Sequence, residues 1–358
     1  MESSKGNLMN TDWQDFLRNN GVRFDNGSIQ SYPVLSQPSH QQSFACVLEN
    51  HSTLTAYGPD TQKFLQGQLT CNVKNLQVDT HISGAACTPK GRVYSNFRMF
   101  FTRRDLCFFL MHKASIEPTL QHLEKYAVFF KTTLSVATPS MIGIGLMGSH
   151  IIDTLTQCFG HDALIDHHQI SRIKDSYLLQ VDQSNTPRFE LWIPEPSFPD
   201  FWNQITAVCT PVLQDQWKLQ DIRSVTHWVT PDTAEKYIPQ DLNLPSQGFV
   251  SFKKGCYTGQ EIVTRVQSLG TPKSRTYALS IKTNTPPEVG QALYDDNKKR
   301  VGEIIDSVIQ SEGLCQALAV IRTKAAQSNP LHFNEPSETD ITVHPIPYDI
   351  DPKAELKS

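Results

Sequence analysis

No apolar run in this chain approaches the roughly 20 residues that a membrane-spanning helix requires, which predicts that it does not insert into a bilayer. Closely spaced cysteines are also missing. The eight cysteines, at 46, 71, 87, 107, 158, 209, 256 and 315, stand singly, unlike a disulfide framework, a zinc site or the clustered thiolates that retain an iron–sulfur cluster. No resident metal is expected, and scattered thiols suggest a reducing compartment. The first residues carry Glu2, Asp12 and Asp15 and no apolar core, unlike a signal or transit peptide, so a cytoplasmic location is expected. Charge of one sign is lacking as well: 32 Lys and Arg against 36 Asp and Glu leave a net charge of −4, with no basic domain, so direct contact with nucleic acid is not expected. GxGxxG, a P-loop and internal repeats are absent.

What is there reads as an ordinary soluble globular protein, with 39% hydrophobic and 19% charged residues. Its 358 residues are long for one core and predict two or three compact units. Residues 1–42 are polar, with Gly27, Ser28, Ser31, Pro33, Ser36, Pro38 and Ser39, and read as a loosely attached arm whose short apolar pieces could dock. Residues 43–271 form the expected main body, of one or two parts. Strands are predicted over 44–48, 53–57, 105–111, 177–182 and 188–193. Helices are predicted from Asp60 to about Gly67, from Ser115, after Ser149 and over 214–223. Strands arriving both in hairpins and between helices indicate an α+β class rather than a doubly wound parallel sheet. Short strands at 275–281, 291–294, 300–308 and 314–321 predict a small β-barrel over 272–326, and the proline-rich residues 327–358 read as a disordered or loosely packed tail.

Two segments carry candidate chemistry. Thr88-Pro89-Lys90-Gly91 suits a type I turn in a hairpin. Beyond it, period-two alternation sets Val93, Phe97, Met99 and Phe101 on one strand face and Arg92, Tyr94, Asn96 and Arg98 on the other, the polar face meeting solvent or an anionic ligand. The second segment is Phe252-Lys253-Lys254-Gly255-Cys256-Tyr257-Thr258-Gly259-Gln260-Glu261, reached through a loop punctuated by Pro231, Pro239 and Pro245. Thr258 and Glu261 have capping-box spacing, and Tyr257 and Ile262 that of a hydrophobic staple. Cys256 would lie just ahead of the cap, where two ammonium groups and the helix dipole lower a thiol pKa below roughly 8.5. That favours a thiolate, a nucleophile or soft-metal ligand, over a cysteine packed as a small hydrophobe.

Gly58-Pro59-Asp60 through Thr70, Pro89 through Val93, and Ile238-Pro239-Gln240 through Glu261 together resemble the YgfZ family over about residues 44 to 325. These are folate-binding proteins related to the T-protein, or aminomethyltransferase, of the glycine cleavage system and linked to iron–sulfur enzyme maintenance. The resemblance implies an α+β ring-like body that accepts folate, a carboxy-terminal barrel, and Lys254 with Cys256 as the functional pair. It also implies Trp217 as an aromatic lining the folate site, with His51 near the position of a second aromatic. Arg92 and Arg98 are candidates for the glutamate carboxylates of a tetrahydrofolate, since pterin rings stack on aromatic faces and carboxylates seek guanidinium groups. Thr88-Pro89 replaces an acidic residue common in relatives.

Two chemical functions follow from that resemblance, beside a non-chemical one, a folate sensor or docking scaffold in which Cys256 is structural. One is a folate-dependent accessory factor in iron–sulfur cluster assembly or repair, with iron–sulfur enzymes or assembly proteins as partners and an indirect effect on cluster-dependent tRNA modification. The other is an aminomethyltransferase or other one-carbon transferase. The second is disfavoured because Ala86-Cys87-Thr88 lacks the T-protein's catalytic acidic residue and Cys256 stands where the T-protein has no thiol.

Overall fold

The computed structural model describes residues 12–33, 42–137, 140–161, 168–182, 187–269, 272–328, 330–333 and 340–356. Parts of the expected arm (1–11 and 34–41) and tail (329, 334–339 and 357–358), and the boundary at 271, lie outside them. Contacts divide the chain into two compact units, 1–49 with 138–214 and 50–137 with 215–358, so neither unit is continuous in sequence and the boundaries expected near 42 and 271 do not mark them.

The first unit is built on a six-stranded sheet in the order Ile170–Ile173, Ser176–Asp182, Arg188–Pro194, Met141–Gly148, Ser43–Val47 and Thr210–Pro211. All neighbours are antiparallel except the last pair. Residues 12–33 are not loosely attached. Asp12–Asn19 is a helix, and Trp13, Phe16 and Leu17, spaced i, i+3 and i+4, form the apolar stripe that packs into this core. Trp13 meets Phe198 edge-on at 5.7 Å, and Leu17 is fully buried. The following hairpin, Arg23–Asp25 with Ser28–Ser31, turns at Asn26-Gly27, both with positive φ, the geometry that a type I′ turn demands.

The second unit has two antiparallel five-stranded sheets. One runs His81–Cys87, Val93–Arg103, Leu106–His112, His51–Tyr57 and Thr133–Val136. One of its faces buries Leu54, Phe97 and Phe109 with Phe64 and Leu123 from the helices Thr61–Gln68 and Ile116–Ala127. Its other face joins a core made by Leu219, Ile222, Val250 and Val263 with Ala278, Ile305 and Leu318 of the second sheet. Val93–Arg103 is therefore covered on both faces, and all but Arg103 of its residues are buried. The face carrying Asn96 and Arg98, expected to meet solvent or an anionic ligand, meets protein.

The second sheet, in the order Ala292–Tyr294, Arg300–Ser311, Leu314–Arg322, Ser274–Ile281 and Ile341–Val343, contains the strands expected to curl as a barrel. The long strand Arg300–Ser311 slips register at Ile304/Asp306 and at Ile309/Ser311, and such bulges bend a strand. Residues 340–356 of the expected tail are ordered against this unit rather than loose. Ile341–Val343 pairs with Leu279–Ile281, the Tyr348 hydroxyl meets Asn243 and Gln247, and the Glu355 carboxylate accepts from Ser246 and Gln267. Among the described residues no helix is long and apolar enough to cross a membrane.

Candidate functional site

The three motif blocks meet in the second unit. Thr70 donates its hydroxyl to the Phe249 carbonyl at 2.6 Å, and its own carbonyl accepts the Ser251 amide at 3.0 Å. Thr258 gives its amide to Gly67 O at 3.2 Å and its hydroxyl to Gln68 Oε1 at 3.1 Å. The hairpin block closes its turn with Gly91 N on Thr88 O at 2.8 Å, as its proline and glycine predict. Past the turn, Val93 and the segment 235–237 are stitched by Val93 N on Tyr237 O at 2.9 Å and Glu235 N on Val93 O at 2.7 Å. Gly259, at φ +84°, lies against that turn so tightly that a Cβ there would sit 2.5 Å from Thr88 O.

The helix after this junction starts at Gln260, later than a capping box at Thr258 would set it, because Gly259 takes the left-handed turn and the Thr258 hydroxyl is spent on Gln68. Cys256 is thus four residues ahead of the helix rather than at its mouth. Among the eight cysteines it alone is exposed. Burial pushes the thiols of Cys71, Cys87 and Cys209 up to about 12 and that of Cys158 up to about 11, and raises those of Cys107 and Cys315 as well.

Lys254 does not serve the sulfur of Cys256 as expected. Its ammonium donates to the Leu69 carbonyl and, at 2.7 Å, to Cys71 O, and lies 5.1 Å above the ring of Tyr257. Only 8% exposed, it has a pKa lowered by burial to about 8. Lys254 ties the cysteine segment to the first block, while Lys253 is exposed.

A second cluster lies on the sheet containing Val93–Arg103. The guanidinium of Arg98 stacks over Trp228 at 4.8 Å, and Trp228 Nε1 donates to Asp221 Oδ2 at 3.3 Å. His51 meets the Trp228 ring edge-on at 5.1 Å, and both its ring nitrogens are sealed from solvent without a hydrogen-bond partner. The loop carrying Trp228 is fixed by Asn96, which donates to His227 O and accepts from Val229 N, both at 2.8 Å, and by Ser115, whose hydroxyl donates to Val229 O at 2.6 Å.

Two of the four folate-contact candidates, Arg98 and His51, are thereby brought together. Arg92 is elsewhere: exposed, it donates to Lys236 O at 2.7 Å. Trp217, 2% exposed on the helix Gln214–Arg223, is one turn ahead of Asp221 on the same face. Sequence reasoning missed Trp228 and Asp221. The available signal was an aromatic seven residues after an acid on a helix whose other polar positions are unremarkable. Among the described residues no group of three or more His, Cys, Asp or Glu is placed to hold a metal ion.

The histidines of this region give a testable pH dependence. Burial lowers the pKa values of both His51 and His227 to about 3, with the neighbouring His112 and Lys218 adding to the respective shifts. Both rings are neutral in the folded protein at pH 7. Between the unfolded value of about 6.5 and the folded value the unfolded chain binds more protons, so this contribution to stability is lost as pH falls below about 6.5. The expected loss is about 1.4 kcal/mol per pH unit for each histidine. Urea unfolding at pH 7.5, 6 and 5 should show it, with a shallower slope in His227→Gln; equal slopes in the two proteins would mean that His227 titrates normally in the native state.

No protein-family model matches the chain. It is 31% identical over 306 residues to the tRNA-modifying protein YgfZ of Pectobacterium carotovorum, covering 85% of this chain and 91% of the relative. With the tRNA-modifying protein YgfZ of Hamiltonella defensa it shares 32% over 291 residues, covering 80% and 85%. In fold it is similar to the glycine cleavage system aminomethyltransferase T of Bartonella henselae, with a TM-score of 0.74 at 14% identity over 94% of this chain and 96% of that one. Extended likeness in sequence, together with motif blocks that the structure joins at one place, assigns this α+β chain with the T-protein fold to the YgfZ family of tRNA-modifying proteins.

Proposed function

We propose that this protein is a tetrahydrofolate-binding accessory factor for iron–sulfur cluster assembly or repair, acting in the cytoplasm and supporting cluster-dependent tRNA modification indirectly. The observation that carries the reading is the exposure of Cys256 alone among eight cysteines. A soft thiolate suits cluster iron, and one thiolate alone cannot retain a cluster, so its work is transient ligation on a client protein. Lys254 anchors the segment through Leu69 and Cys71, leaving the exposed Lys253 as the neighbouring cation.

For folate, the Arg98–Trp228–His51 cluster offers matching chemistry. A guanidinium attracts glutamate carboxylates, an indole packs against a flat ring system, and two unpartnered imidazole nitrogens supply a donor and an acceptor. Trp217, one turn from Asp221, would back this site, and Arg92, engaged with Lys236, is the weaker candidate.

Titration with tetrahydrofolate, followed by tryptophan fluorescence, tests the assignment. Wild type and Cys256→Ser should bind alike. Arg98→Lys, which keeps the charge but loses the planar fork, should bind about ten-fold more weakly, the equivalent of one charge-assisted hydrogen bond. Saturation of wild type and Arg98→Lys at the same concentration would remove Arg98 from the site, and no binding by wild type would end the folate reading.

A further inference from the structure

We infer that the carboxy-terminal segment 340–356 is a positioning element for the Arg98–Trp228 cluster, acting through the hydroxyl of Tyr348 on the carbonyl of Val225. The consequence for folate rests on the reading above; the consequence for the Trp228 loop does not.

The helix Gln214–Arg223 ends in a Schellman turn, with Thr226 N on Asp221 O at 2.8 Å and Val225 N on Ile222 O at 3.0 Å. Its left-handed position is occupied by Val225, at φ +53°. Glycine is the usual occupant, and a β-branched residue there is a conformational outlier that surrounding contacts must hold. This turn aims the next residues: Trp228, three positions on, returns to Asp221 and underlies Arg98.

The contacts that hold it include the tail. Val225 O accepts from Tyr348 Oη and from Gln247 Nε2, both at 3.3 Å. Tyr348 Oη in turn accepts from Asn243 Nδ2 at 3.2 Å and from Gln247 Nε2 at 3.0 Å, so its one proton and both acceptor sites are used. Gln247 Oε1 also takes the Thr226 hydroxyl at 3.2 Å. Tyr348 is itself fixed from both sides. Upstream, Ile341–Val343 adds to the sheet and His344 N donates to Ala278 O at 2.9 Å. Downstream, Glu355 accepts from Ser246 and from Gln267, a residue of the helix that follows Cys256. A strained turn is thus bridged by the carboxy-terminal segment through Tyr348.

Tyr348→Phe removes the hydroxyl and keeps the ring. Hydrogen exchange of a peptide covering 224–230, and tetrahydrofolate titration, are compared in full-length wild type and variant, with thermal melting confirming that the variant is folded. The variant should exchange about five-fold faster at 224–230, the loss of one net hydrogen bond, with the stitched residues 93 and 235 unchanged. Its folate affinity should fall by a similar factor. Unaltered exchange at 224–230 overturns the inference, as does faster exchange with wild-type folate affinity. If wild type binds no folate, the folate reading fails and the exchange comparison alone decides whether Tyr348 holds the turn.

Discussion

Gly259→Ala should destabilise the protein by about 3 kcal/mol, through a left-handed penalty and overpacking that add together, whereas Gly255→Ala should change stability by less than about 0.5 kcal/mol. The two glycines flank Cys256 in one short motif and look equivalent in sequence. Their surroundings differ. At Gly259, φ is +84°, and a methyl group would lie 2.5 Å from Thr88 O, 3.1 Å from Gly91 Cα and 3.2 Å from Cys87 Cβ. These are backbone or buried atoms of the hairpin and cannot swing aside. Gly91 reciprocates, since a Cβ there would sit 2.9 Å from Ile262 Cβ. At Gly255 an added Cβ would meet nothing within 4 Å beyond its chain neighbours. Urea unfolding of both variants makes the comparison; a Gly259→Ala protein as stable as Gly255→Ala would mean that the hairpin and the cysteine segment are not in contact.

That contact also explains what could and could not be read from the chain. Leu106–His112 and Gln214–Arg223 were legible because their apolar spacing and flanking residues act locally, and both lie within a residue of where pattern alone puts them. Val93–Arg103 was legible as a strand but not in its surroundings. Alternation identifies two faces, and only the fold reveals that the loop through His227 and Val229 covers the polar one. The amino-terminal helix was hidden by averaging: Trp13, Phe16 and Leu17 form a stripe within a polar segment, and Asn26-Gly27 is a strong hairpin signal in the same stretch. In the tail, prolines broke the periodicity while Tyr348 and Glu355 made specific polar contacts that no pattern announces.

Within the candidate site, Cys256 and Lys254 were identifiable as special, but the role expected for the lysine was misplaced. Adjacency in sequence suggested that its ammonium would serve the thiol. A buried ammonium must satisfy its protons, and the carbonyls of Leu69 and Cys71 take two of the three while the Tyr257 ring lies 5.1 Å from the charge. Val225 had no signal at all, because nothing in a valine marks it as the left-handed residue of a helix end.

The most direct test is the restoration of a cluster-dependent tRNA-modifying activity by Cys256→Ser in cells lacking the wild-type protein. Because the thiol is exposed, the serine variant should fold and bind tetrahydrofolate as wild type does, yet leave the cluster enzyme without activity. Full restoration by the serine variant would contradict a chemical role for this sulfur.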